Sequence, residues 1–208
     1  MSLTQNPLRK KRKAATRGRL IRSAGLLFAE RGYKETTLEE VAEHAGLHVQ
    51  TLYRHFANKQ ELATAGDQDL LEQFEYAITD PQRNSNTFDF WREWVGDMAV
   101  RLTRVEGGQN LRKFLRQRWS RQRISPLLIR IAHQYEDLLT DSLARDFDMP
   151  SGGVATPRLV AIMLWGVHSH VQRLYVAEEE FDLAKEVVVV VDSVESLFGH
   201  LMKPASSV

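Results

Sequence analysis

Residues 46–59, GLHVQTLYRHFANK, gather hydrogen-bonding side chains with little formal charge: only Arg54 and Lys59 are ionic, beside two histidines, a Gln, a Thr and a Tyr. At about 100° per residue, a helix over 49–56 turns Val49, Leu52 and Phe56 inward. Gln50, Thr51 and Arg54 then point outward, with Tyr53 and His55 on the flanks. A face that is hydrogen-bonding, mildly basic and free of carboxylates suits a DNA groove. Gln and Arg pair with base edges, while Thr, Tyr, His and Lys reach phosphate oxygens. The pattern also fits a solvated helix packed on its neighbours, and the face alone does not separate the two.

Such a face needs a frame, and the preceding residues supply one. From Arg17 onward Leu20, Ala24, Leu27 and Phe28 recur at threes and fours, and Gly32 ends the stripe as a C-terminal cap. Thr37 and Glu40 form a capping box that opens a short helix carrying Leu38, Val41, Ala42 and Ala45, stopped at Gly46. Two short helices about a glycine turn, the second with an outward polar face, compose a helix-turn-helix. Asn58 and Glu61 make a second capping box for a helix from Lys59 to about Ile78.

Charge divides the chain in the same place. Residues 1–60 hold 12 Lys+Arg against 5 Asp+Glu, and the remainder holds 16 against 22, although the net charge of all 208 residues is only +1. A basic head on an acidic body implies a polyanion-binding module joined to something else. RKKRK at 9–13 is expected to be a flexible arm that adds phosphate contacts or enters the minor groove; a solvated tail and a targeting signal are the alternatives. With 43% hydrophobic and 26% charged residues the chain has the balance of a globular protein, and its lack of cysteine excludes disulfides and thiolate metal sites. The N-terminus has no secretory apolar stretch, and the longest apolar run, LVAIMLWGV, is about half a membrane span. A cytoplasmic location, no membrane partner, no cofactor and no metal are expected.

Beyond a loop at 79–87, helical patterns cover about 88–105 and 109–122. Ser125-Pro126 opens another to Asp146, Thr156-Pro157 caps one over about 157–178, and a last one spans about 182–202. The total is about nine helices with no convincing strand, an all-α fold. VVVVV at 187–191 has β propensity, yet Leu183, Val187, Val190, Val194, Leu197 and Leu201 keep a helical seam. Ala184, Val188, Val191, Phe198 and Met202 add a second seam beside it. A helix apolar on so much of its surface is either an inner helix of one subunit or one shared with a partner, and the second is the expectation.

Leu20, Ala24, Leu27, Phe28, Gly32, Tyr33, Thr36, Thr37, Val41, Ala42, Ala45, Gly46, Leu47, TLYRHF at 51–56 and Lys59 together resemble the TetR (tetracycline repressor-like) family of transcriptional regulators, over about 45 residues. The resemblance implies that the third helix enters the major groove, with Thr37, Tyr53, His55 and Lys59 on phosphates. Arg17 and His48 join the candidate DNA-binding residues, and Gln50, Thr51 and Arg54 are the candidates for reading bases. His48 departs from the family, which often has a Ser that caps the helix. Gln50 stands where many members have a small residue, so the base sequence does not carry over. Gly25, where Ala is common, costs the first helix up to about 1 kcal/mol.

By the same resemblance the chain divides into the arm (1–13), a helix-turn-helix domain (14–58) and a helical ligand-binding and dimerisation domain (59–208). The last two helices pair with their copies in a homodimer, through Val187, Val190, Val191, Val194, Leu197, Phe198 and Leu201. Two recognition helices about one DNA turn apart then read a palindrome, and an unknown small-molecule effector releases the protein from double-stranded DNA. Candidate pocket residues are Phe74, Trp91, Trp94, Met98, Phe114, Trp119, Tyr135 and Trp165, each of which also fits plain core. RKFLRQRWSRQR at 112–123 offers Arg118 or Arg121 to an anionic ligand, or is a solvated basic face. His168 and His170 lie about 200° apart on a helix, against shared metal ligation. An enzyme is not expected: the chain lacks Glu-x-x-His pairs, a thiol, a G-x-S-x-G elbow and a phosphate-binding glycine loop. The competing reading is a ligand-binding or interaction protein whose basic head binds another polyanion, such as RNA.

Overall fold

Eight α-helices and no strand are present in the computed structural model, which describes residues 7–104, 112, 115–116, 126–153 and 155–202. They are α1 (Pro7–Arg31), α2 (Leu38–His44), α3 (Val49–His55), α4 (Lys59–Ile78), α5 (Thr87–Arg104), α6 (Pro126–Asp146), α7 (Thr156–Ala177) and α8 (Leu183–Phe198), closed by a 3-10 turn at Gly199–Leu201. The helix expected over 109–122 and the cap expected at Ser125 fall outside the described residues. α1 begins well before Arg17: Pro7 is its first residue and pre-sets the helical φ, and the Lys, Arg and Ala that follow are strong helix formers. Residues 7–13, expected in a flexible arm, are therefore helical. Thr156 is the first residue of α7 and not its cap; Ala155 takes the extended cap conformation, with no side-chain bond.

The chain forms two compact units whose boundary within the described helices falls inside α4, between Gln68 and Asp69. In the first, Leu20, Ala24, Leu27 and Phe28 of α1 close over Val41, Ala42 and Ala45, over Leu52 and Phe56, and over Leu62 and Ala65 of α4. In the second, α6 packs on α7, α7 on α8, and α8 on α5. Helical burial overrides the β propensity of the valine run: Val187, Val191 and Val194 are buried, and Asp182 caps α8 by accepting the Lys185 N–H at 3.1 Å.

Two polar clusters tie the second unit. Arg92 of α5 bonds Asp89 at 2.6 Å and Asp192 of α8 at 2.7 Å, and also reaches Glu195. Arg83, in the loop before α5, donates to both carboxylate oxygens of Asp146 at 2.9 Å and to the Ser142 hydroxyl at 3.0 Å. Thr87 at the start of α5 completes that cluster with a 2.6 Å bond to Asp146. Partners 59 to 63 residues apart in sequence carry no local signal of this pairing.

Candidate functional site

The α3 face stands on the anchors its pattern predicts. Leu52 and Phe56 are buried and Val49 half-buried, while His48, Gln50, Tyr53 and Arg54 are exposed and Thr51 and His55 lie between. His48 occupies the N-cap with extended backbone (φ −72°, ψ 143°), but its side chain makes no capping bond. Serine suits that backbone and supplies the missing acceptor, so His48→Ser is expected to raise the unfolding free energy by about 1 kcal/mol. An unchanged urea midpoint would show that the free N–H groups of α3 are already satisfied another way.

The turn that aims α3 depends on its glycine. Gly46 has φ +63°, and a Cβ there would come within 3.2 Å of Arg19 Nη2. Arg19 in turn donates to the Ala45 carbonyl, and His44 Nδ1 meets the Ser23 hydroxyl at 3.0 Å, so α1 grips the end of α2 twice. Sequence reasoning missed both grips. The Thr37 capping box is present: its hydroxyl accepts the Glu40 N–H at 3.1 Å and donates to the Glu40 carboxylate at 3.0 Å. That proton is therefore engaged, and Thr37 acts on the face by fixing where α2 begins. Thr36, beside it, is buried and donates to the Gly32 carbonyl at 2.8 Å, closing the loop after α1.

Lys59 opens α4 with its ammonium 4.5 Å from the Tyr33 ring centroid and 3.3 Å from the Lys34 carbonyl. Tyr53 donates to Glu39 at 3.2 Å, and that carboxylate raises the phenol above its ordinary 10.0, keeping it a donor. Arg17 lies over the Phe56 ring at 5.0 Å. The basic groups converge on His55: burial pushes it below its ordinary 6.5, and the Arg54, Lys13 and Arg17 cations push it further. Lys13 belongs to the basic run expected in a flexible arm; in the helix its four-residue spacing from Arg17 places both on one face of α1.

In the second unit five of the candidate pocket residues meet. Phe74 touches Tyr135 at 4.7 Å, Trp94 at 5.3 Å and Trp91 at 5.5 Å, and Tyr135 stacks on Trp165 at 4.5 Å. Met98 is half-buried on α5, and Phe114, Arg118, Trp119 and Arg121 fall outside the described residues. His168 joins the cluster 5.4 Å from Trp91, fully enclosed, and burial lowers it to about 4. His170 is exposed, so the two histidines part as their spacing predicts. A histidine depressed from 6.5 to about 4 stabilises the fold fully above pH 6.5 and loses that contribution as pH falls toward 4. The wild type is expected to lose about 3 kcal/mol more than His168→Phe between pH 7 and 4, measured by urea unfolding. Parallel losses would show that His168 is protonated in the fold.

Against this geometry, a sequence profile described as "Bacterial regulatory proteins, tetR family" matches residues 20–65, from the α1 core through α3 into α4. Residues 20–65 thus match the domain that this family's model describes. Over 56 residues it is 46% identical to the HTH-type transcriptional regulator TcmR of Streptomyces glaucescens, covering 27% of this chain and 25% of that one. Over 46 residues it is 46% identical to the HTH-type transcriptional repressor KstR2 of Mycobacterium tuberculosis, covering 22% and 23%. The match thus spans about a quarter of the length of these relatives. The TetR-like fold extends further: SmeT, the repressor of the Stenotrophomonas maltophilia multidrug efflux pump SmeDEF, superposes with TM-score 0.66 over 88% of this chain and 89% of its own, at 23% identity. The SmeT–triclosan complex gives 0.65 over 88% and 91%, at 24%.

Beyond the matched residues, the chain departs from expectation in α8. Val187, Val191 and Val194 were expected at a subunit interface, but all three are taken up by the core of their own subunit. Val190 and Phe198 are half-buried, and only Leu197 and Leu201 of the expected set are exposed. Both seams were apolar, and packing on α5 and α7 takes residues from each: Leu183, Val187 and Val194 of the first and Val191 and Met202 of the second are buried. The outward apolar residues are Val189, Leu197 and Leu201, with Leu159, Ile162 and Met163 on α7. Among the described residues no helix is long and apolar enough to cross a membrane, and no group of three or more His, Asp or Glu could hold a metal ion.

Proposed function

We propose that this protein is a ligand-responsive transcriptional regulator, a repressor that binds a palindromic operator as a homodimer and is released by a small molecule. The observation that carries the reading is the α3 face: Gln50 and Arg54 exposed, with Lys13, Arg17, Arg54 and His55 gathered at one end. Arg54, Gln50 and Thr51 would read base edges, and Arg17, Tyr53, His55 and Lys59 would hold phosphates. His48, exposed at the start of α3, would meet the adjacent backbone. Specific protection of a palindromic site in or near its own promoter tests the proposal. Binding RNA as tightly as duplex DNA would overturn it.

The release step uses α4, which contributes Leu62 and Ala65 to the core of the first unit and Phe74 to the aromatic cluster of the second. A ligand that displaces Phe74 would shift α4 and spread the two recognition helices. SmeT, of the same fold, has been seen with triclosan, which supports a small-molecule effector. Ligand and operator must then weaken one another by the same factor. A ligand that binds without changing operator affinity would refute this step. The basic start of α1 acts through phosphates alone. Deleting residues 1–13 is expected to weaken binding to all DNA sequences alike and to flatten the dependence of log K on log salt by about 0.9 for each phosphate that is no longer neutralised. An unchanged slope would place those cations off the DNA.

A further inference from the structure

The aromatic cluster holds three buried N–H groups with no partner: the indole Nε1 of Trp91, the indole Nε1 of Trp94 and Nδ1 of His168. His168 Nε2 lies 2.8 Å from the Gln172 side-chain amide nitrogen. The amide can only donate there, so Nε2 accepts and the ring proton sits on the orphaned Nδ1. Native interiors leave few buried donors unpaired, and these three belong to rings that touch Phe74 or one another: Trp91–His168 at 5.4 Å, Trp94–Phe74 at 5.3 Å. Three buried donors that no group of the chain satisfies call for acceptors from outside it.

Charge narrows the choice. His168 stays neutral at physiological pH because burial lowers it to about 4. Among the described residues the one cation over these rings is Arg83, 5.5 Å from Phe90, and it is already spent on Asp146. Among the described residues no other charged group lies over these rings to offset a carboxylate or an ammonium, and burying either unpaired is costly. Tyr135 stacks on Trp165 at 4.5 Å and lies tilted on Phe74 at 4.7 Å, so the groups around the three donors are aromatic faces, which favour a flat ring as their partner. We infer that the effector is an uncharged, planar aromatic molecule bearing hydrogen-bond acceptors such as a carbonyl, held by Trp91, Trp94 and His168. This rests on the effector reading above and specifies the chemistry of its site.

The test is calorimetric titration of the full chain with three molecules that differ in one property each: 9-fluorenone, fluorene, which lacks the acceptor, and fluorenone-2-carboxylate, which adds a charge. Fluorenone is expected to bind about tenfold more tightly than fluorene and at least tenfold more tightly than the carboxylate. Trp94→Phe and His168→Phe keep a ring and remove a donor, and each is expected to bring fluorenone down toward fluorene, with thermal unfolding confirming that the variants fold. Fluorene binding as well as fluorenone, the carboxylate binding best, both variants binding fluorenone undiminished, or no fluorenone binding up to its solubility would each overturn the inference. Operator binding, measured separately without any small molecule, keeps the two readings apart. Operator binding without fluorenone binding sinks only this inference, and the reverse sinks the regulatory reading.

Discussion

Asp146→Ala is expected to lower the unfolding free energy by about 3–5 kcal/mol, because it strands a guanidinium that is nearly enclosed. The Arg83 side chain is 7% exposed and that of Asp146 15% exposed, so water can do little for the cation left behind. Other bonds go at the same time: Thr87 loses its 2.6 Å acceptor and Arg83 both 2.9 Å bonds, while Arg83 Nε is already buried without a partner. The damage would not stay local. Arg83 lies over the ring of Phe90, from which α5 runs on to Trp91 and Trp94, so the cluster holds the end of the helix that supplies the aromatic site. Arg83→Met combined with Asp146→Leu leaves no unpaired charge and is expected to recover most of the loss. Urea unfolding of both variants decides the matter: a single variant within about 1 kcal/mol of wild type would mean that Arg83 finds another partner.

What the sequence disclosed and what it withheld follow from the range of the interactions. The box at Thr37 and Glu40 is a bond between neighbours, so residue types at fixed spacing suffice to locate it, and the box at Asn58 and Glu61 succeeds nearly as well. There the Glu61 carboxylate takes the Ala57 N–H at 2.7 Å, one residue before the position a capping box normally serves. The inward pair Leu52 and Phe56 was legible because α3 is amphipathic on its own. α8 was not, because apolar residues surround most of it, and periodicity cannot say which residues of its two seams meet α5 and α7 and which are left outside. The start of α1 hid for another reason: a run of charge suggests solvation, although Lys and Arg are good helix formers and Pro7 supplies a start. Arg83 and Asp146 are the extreme case, a pair whose two residue types occur throughout the chain and whose meeting only the fold specifies.

The outward residues of α7 and α8 lead to the largest expected effect on function. Ile162 is 43% exposed and Leu197 63%, one on each of the two terminal helices, and a solvated surface gains nothing from either side chain. Glutamate at both positions is expected to leave the subunit folded, since neither side chain is part of its core, while placing like charges face to face across the two-fold interface of the proposed dimer. Light scattering should then report monomers in place of dimers. The consequence on DNA exceeds that of losing any one base contact. In a dimer the second recognition helix binds as an intramolecular partner of the first, and uncoupling them is expected to lower affinity for a palindrome by about 10²- to 10⁴-fold. Affinity for a single half-site should be unchanged, so full palindrome and half-site duplexes converge to similar Kd values in the Ile162→Glu, Leu197→Glu double variant. A double variant that stays dimeric would remove α7 and α8 from the interface. A monomer that holds the palindrome as tightly as wild type would show that one helix-turn-helix reads the site alone.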